Sequence, residues 1–562
     1  MKKVVKSSLL LLPGLVLVVL VSCHCNGDSP GSAAIAAINL KRGNLVVCGP
    51  AGKQYGSVSF ETSCPGASKE DFNLGMALLH SFEYDEAEKV FAKVIADEPS
   101  CAMAYWGVAM SNYHQVWPSP PLPAELDKGL RSVTIAQSLT NKTKREGEYI
   151  DAIAQFYKDW PTVDHHTRAL AFEKAMEKLY AHYPSDKEAA IFYALSLDGA
   201  ADPMDKSYAN QRKAGAILTA LYPGEPNHPG IVHYLIHSYD YPELAALALP
   251  SARKYASIAP ASAHAQHMPS HIFTRLGLWN ESITSNLISI SSARCYAEGA
   301  GIKGHWDEEI HGLDYLMYAY LQKGDNKLAK EQYDYLQTIT GVYPVNFKDA
   351  YAFASIPSRY VLENKMWKDA AGLNLHRDDF PWVKFPWQRA IIYFTHTLGY
   401  AHTGQLDSAN AGLIVLQAIR DTLARQKDPY KANLVDIQLK AAEAWIRWKE
   451  GKNAEALRLM NLAADMEDKT EKSPVTPGEV LPARELLGDL LLQLNKPADA
   501  LIAYEADLLR HPNRFNGLYG AGLAAERSGN KEKAIAYYRQ LMSVVAVTSD
   551  RKEVGEARKY LR

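Results

Sequence analysis

From Phe72 onward the apolar positions of this chain recur at intervals of three and four, the spacing that lines one face of an α-helix. FNLGMALLHSFEYDEAEKVFAKVIADEP, residues 72–99, reads as two such helices joined near Phe82 and closed by Pro99. Residues 143–158, 164–183 and 187–199 keep the same period, with Pro184 as a terminator. Near the end of the chain Gly488 and Gly522, Ala500 and Ala534, and Tyr504 and Tyr538 are each 34 residues apart. Between these ends a glycine is followed five residues later by an alanine at Gly324/Ala329, Gly404/Ala409 and Gly451/Ala456. A fixed period of this length predicts helical hairpins stacked side by side, an all-α solenoid. One stretch differs: Asn44–Thr62 alternates apolar and polar residues around glycines, which predicts a short N-terminal β-hairpin.

Within the first unit Gly75 permits close helix packing, Ala87 fits a helix crossing, Phe91 fills the gap to the next unit, and Pro99 ends it. This grammar resembles the tetratricopeptide repeat, a family of helical-hairpin superhelices whose concave groove binds proteins or peptides. More specific blocks, SFETSC at 59–64, CAMAYWG at 101–107, HPG at 228–230, HYLIH at 233–237 and HAQHMPSHI at 264–272, resemble an uncharacterised group of bacterial proteins with this repeat. That resemblance supports fold and site and supplies no reaction.

The pattern divides the chain. Residues 1–22 resemble a lipoprotein signal peptide, with Lys2, Lys3 and Lys6 before an apolar run that ends at Leu20-Val21-Ser22-Cys23. Cys23 is the expected lipidation site, so an exported chain anchored by lipid in the bacterial cell envelope is expected. Residues 23–67 read as a tether with the small hairpin, and 68–342 as a histidine-rich array. Residues 343–466 read as degenerate helical pairs, 467–480 as a linker, and 481–562 as a C-terminal pair of repeats. In an oxidising envelope Cys64 and Cys101, flanking the first repeat, are the preferred disulfide, while Cys295 reads as a core residue. The formal net charge of −2 gives no electrostatic reason to expect nucleic acid.

Histidine changes the picture most. Eight of the 18 lie between residues 228 and 311, where uniform scatter would place about 3. His233 and His237 are four apart, as are His267 and His271, and the pairs are 34 apart, one repeat. Each pair therefore shares a helix face, and the two helices stand side by side. Aligned to the repeat, His233 and His267 take helix-A position 5, His237 and His271 position 9, His264 and His311 position 2, Asp240 position 12, Asp314 position 5 and Tyr318 position 9. All are groove positions, and His228 stands at their edge. Neutral imidazole is a common ligand of Zn, Cu and Fe, so His233, His237, His267, His271 and His311 with Asp314 are expected to hold a divalent transition metal. His228, His264, Asp240 and Tyr318 are expected to line the groove. A groove that hydrogen-bonds a peptide or carboxylate, and histidines that are only structural, stay open. The whole chain reads as an envelope-attached scaffold for a protein or peptide partner. The alternative is a metal-dependent hydrolase or oxidoreductase using the same histidines, with Asp240, Glu308, Glu309 or Asp314 as its base.

Overall fold

The computed structural model describes residues 29–49, 54–113, 121–377 and 379–562. The expected signal peptide and Cys23, the expected lipidation site, lie outside the described residues. From Lys69–His80 packed on Tyr84–Asp97 to Phe515–Arg527 packed on Lys531–Val544, antiparallel helix pairs follow one another, each against its neighbours in sequence. The helical solenoid expected from the 34-residue period is the observed fold.

Its packing rests on an aromatic ring held between two glycines. A Cβ on Gly75 would lie 2.8 Å from the Phe91 ring and one on Gly107 2.6 Å from it, so Phe91 is gripped by its own unit and the next. Tyr504 repeats the device between Gly488 and Gly520, at 2.6 and 2.4 Å. Such approaches leave no room for any side chain, which is why the small residues keep the period of the ring.

Three expectations are corrected. The described part of 44–62 forms no strand ladder. Its backbone groups are taken by helices and loops instead: Val46 N–H donates to Glu86, Phe60 N–H to Asn73, Ser57 N–H to the Asn227 carbonyl, and Gln54 O accepts from Ala261 N–H. The alternation is real, since Tyr55, Val58 and Phe60 are buried, but an extended chain laid on helices produces it as well as a hairpin does. Among the described residues the two-stranded sheet is His305–Trp306 paired in parallel with Val342–Tyr343. Nor is the tether wholly irregular, because Ser32–Ile38 is a helix against Pro123–Ser138 with Ile38 buried. Disulfides join Cys64 to Cys101 and Cys48 to Cys295, so Cys295 is an exposed half-cystine and not core.

The stretch read as a linker is built into the interior. Glu471, Lys472 and Thr476 are buried. Tyr208 and Tyr430 donate to Glu471, Lys472 reaches Asp240 at 3.4 Å, and the Gly478 carbonyl accepts from Arg359 and Tyr351. This segment therefore lies on the helix-A face that the repeat register assigns to the groove. Beyond it the C-terminal repeats dock back: Trp279 Nε1 donates to the Asn513 carbonyl, Asn513 to the Gly277 carbonyl, and Phe515 N–H to Gln322. Among the described residues no helix is long and apolar enough to cross a membrane.

Candidate metal centre

Three helical segments bring the histidines together. Pro229 opens Pro229–Tyr239, where its missing N–H costs nothing. Next to it, a Cβ on Gly230 would sit 2.5 Å from His80 Nδ1, so only glycine lets this helix approach the first repeat. The second segment is broken in two, Ala263–His267 and Pro269–Arg275, because Pro269 cannot donate to the preceding turn. Asp307–Gln322 supplies the third.

The histidines assemble into two triads, not one four-histidine set. His233, His237 and His264 form the first, and His267, His271 and His311 the second, with one ligand atom from each residue within 4.8 Å of the others in its triad. His237 and His271 face each other across the two, ring centroids 6.5 Å apart. All but His264 are fully buried. Burial, reinforced by the neighbouring rings, holds His233, His237, His267 and His311 well below the usual imidazole range. His271 is lowered by burial too, against the pull of Asp240. These rings are neutral at pH 7.

Their tautomers follow from their neighbours. His267 Nδ1 lies 2.7 Å from Asn286 Oδ1, and the Asn286 amide is oriented by its own donation to the Ser282 carbonyl, so Nδ1 carries the proton. His271 Nδ1 lies 3.0 Å from Asp240 Oδ2. Burial alone would raise the Asp240 carboxyl, but Lys472 and Arg275 hold it far below the carboxylate range, so it only accepts. Both Nε2 atoms then turn lone pairs toward each other 3.1 Å apart, with the Tyr315 hydroxyl 3.3 Å from the His271 one. Two acceptors at that distance repel unless a cation lies between them. An ion bound at about 2.0–2.1 Å by tetrahedral imidazoles sets its nitrogens about 3.3 Å apart, close to this spacing. In the first triad His233 Nδ1 donates to the His80 carbonyl at 2.7 Å, which again turns Nε2 inward as an acceptor, 2.9 Å from His237 Nε2. His264 Nε2 is buried without a hydrogen-bond partner. A carboxylate or carbonyl fixing one ring nitrogen while the other faces inward is the usual outer shell of a histidine metal site.

Phe82 walls the first triad. Its ring stacks on His237 and meets His233 edge-on at 4.4 Å, and its backbone holds φ +57° to place it there, a region costly for a residue with a side chain. Tyr315 OH stands 3.3 Å from both nitrogens of His271. Glu308 lies beside the centre, Oε2 3.5 Å from His264 Nδ1; burial alone would raise it, but Lys348 together with His264 and His311 holds it well below the usual carboxylate range.

Other expected site residues lie elsewhere. Asp314 is no ligand: it accepts from Arg359 and Ser355 in a buried ion pair. Tyr318 accepts from Arg514. Glu309 is bound to Arg294, His305 and Tyr335. His228 joins His80 and Glu188 in a third group, where each Glu188 oxygen accepts from one histidine Nε2 at 2.9 Å. Both Glu188 oxygens there meet histidine donors, so the carboxylate supplies the charge at that group's centre, although His228 Nδ1 is buried without a partner. Phe82, Glu188, Asn286 and Lys472 had no sequence signal as site residues, whereas His80 stands 34 residues before His114 at helix-A position 13, another groove position.

The "Tetratricopeptide repeat" family model matches residues 72–116 and 485–542. The chain therefore carries tetratricopeptide repeats near both ends of its helical array. No protein of curated function matches it in sequence. Solved structures align loosely with the repeat chain. A human IFIT1 dimer with m7Gppp-AAAA is 11% identical over 83% of this chain and 94% of that one, TM-score 0.34. The P58(IPK) TPR domain is 12% identical over 67% and 98%, TM-score 0.19. Naa15/Naa10 bound to HypK-THB is 12% identical over 88% and 74%, TM-score 0.21. Superpositions this loose carry nothing about function.

Proposed function

We propose that this tetratricopeptide-repeat protein binds a transition metal ion at its centre, through His267, His271 and His311. The observation that carries the reading is the pair of opposed Nε2 lone pairs at 3.1 Å, each fixed by an Nδ1–H whose acceptor cannot donate. Neutral imidazoles need no deprotonation to ligate, so binding persists to lower pH than ordinary histidines allow. Three protein ligands leave a fourth position open, as in catalytic sites, and Glu308 and Tyr315 stand near as proton-transfer groups, which favours the metalloenzyme reading over a purely structural ion. A partner in the concave groove would have to displace residues 469–482, so partner docking falls to other faces of the repeats. Export to an oxidising compartment is part of the proposal and is supported by the two disulfides; loss of lipid mass on Cys23→Ser tests the anchor.

Elemental analysis of the purified chain decides the metal reading. At least one equivalent of Cu, Zn or Fe is expected per chain, and His267→Ala should weaken its retention at least ~10–100-fold, the loss that outer-shell changes alone cause. Absence of stoichiometric metal after incubation with each ion refutes the reading.

A further inference from the structure

The two triads are copies of one design. Each takes positions 5 and 9 from helix A of one unit, His233 and His237 in one and His267 and His271 in the other. Each then takes position 2 of the following unit, His264 in one and His311 in the other. In each, the position-5 histidine has its Nδ1 proton fixed by a neutral oxygen, the His80 carbonyl or Asn286 Oδ1, and turns Nε2 to its position-9 partner, at 2.9 and 3.1 Å. A solenoid repeats its surface every unit, so a site built across one unit boundary is built again across the next. The third histidine group breaks the rule. It has a carboxylate at its centre and no repeat-related counterpart, and its hydrogen bonds are internally complete at both Glu188 oxygens.

We infer that the chain holds two copper ions, one in each triad, as an adjacent pair. This rests on the metal reading above and goes beyond it in number and in element. Six imidazoles with no thiolate and no carboxylate among them form a nitrogen-only donor set, and copper heads the affinity order of divalent ions for such ligands. The unpartnered His264 Nε2 shows that the first triad has a donor to spare. The meeting of His237 and His271 at 6.5 Å places the two sites against each other and not at opposite ends of the array.

The test uses the full mature chain, stripped of metal and titrated with copper against a chelator. Two equivalents are expected for the wild type. His237→Ala and His271→Ala should each keep one, with circular dichroism confirming that the helices remain. As a measurement independent of folding variants, the Cu(II)-loaded wild type should show an EPR signal well below two spins per chain, because adjacent ions couple. One equivalent in the wild type, lost with His271→Ala and kept with His237→Ala, overturns the pair while leaving the single-ion reading intact. No bound metal overturns both. Two zinc ions held in preference to copper overturn the assignment of the element.

Discussion

Two of the polar clusters inside this chain are built on opposite rules. Where the C-terminal repeats dock, Arg514 donates to Glu485 at 2.9 and 3.0 Å, to Glu363 at 2.7 Å and to Tyr318 at 3.0 Å. His511 stands between Asp507 and Glu479 at 2.8 and 2.9 Å, and these carboxylates overcome burial to push it up to about 10. Every donor there has an acceptor. In the histidine centre the His267 and His271 acceptors face each other, and the imidazoles are driven down. Arg514 is as buried as the triad histidines, so burial of polar groups does not by itself mark a site. What marks it is a shortage of positive charge, which the docking cluster supplies from its own side chains and the histidine centre does not.

The largest expected consequence is an opposite response to pH. For His233, His237, His267, His271 and His311 the folded values lie below the unfolded 6.5, so the unfolded chain takes up protons first. Their contribution to stability is complete above about 6.5 and is lost as pH falls, at about 1.4 kcal/mol per pH unit for each histidine. His511 runs the other way: its contribution is complete below about 6.5 and is lost as pH rises through about 10. Urea midpoints of the metal-free protein from pH 5.5 to 10 should fall on both sides, and a midpoint unchanged between 7.5 and 5.5 would erase the contrast. Next in size, Arg514→Met strands Glu363 and Glu485 and should cost about 3–5 kcal/mol. Metal content should not change, and a parallel loss of metal would show that the two clusters are one. Smallest, Asp240→Asn keeps the shape but weakens the acceptor for His271. Metal affinity measured by chelator competition should drop ~10–100-fold, with unfolding changed less than in Arg514→Met.

The repeat was legible because its small and aromatic residues touch within one unit or the next, so period and contact coincide. The histidine pairs were legible for the same reason, being one helical turn and one repeat apart. Their division into triads was not, since it depends on the His80 carbonyl, 153 residues from His233, and on the break at Pro269. Asp314 was misassigned because register predicts a direction and not the partner waiting there, Arg359. Residues 467–480 look like a linker because they are polar with two prolines. They are buried because Glu471, Lys472 and the Gly478 carbonyl find partners on distant units, which composition does not reveal.

Open arrays of this repeat tolerate gain or loss of a unit, because each unit touches only its neighbours. Here Trp279 and Gly277 are bonded to Asn513, and Gln322 to Phe515, so units far apart along the chain must arrive at the same place. Adding or deleting one helical pair between residues 323 and 512 would rotate the last repeats past their seat. The number of repeats in that span is thereby locked: closure exchanges the modular growth of a solenoid for a fixed count.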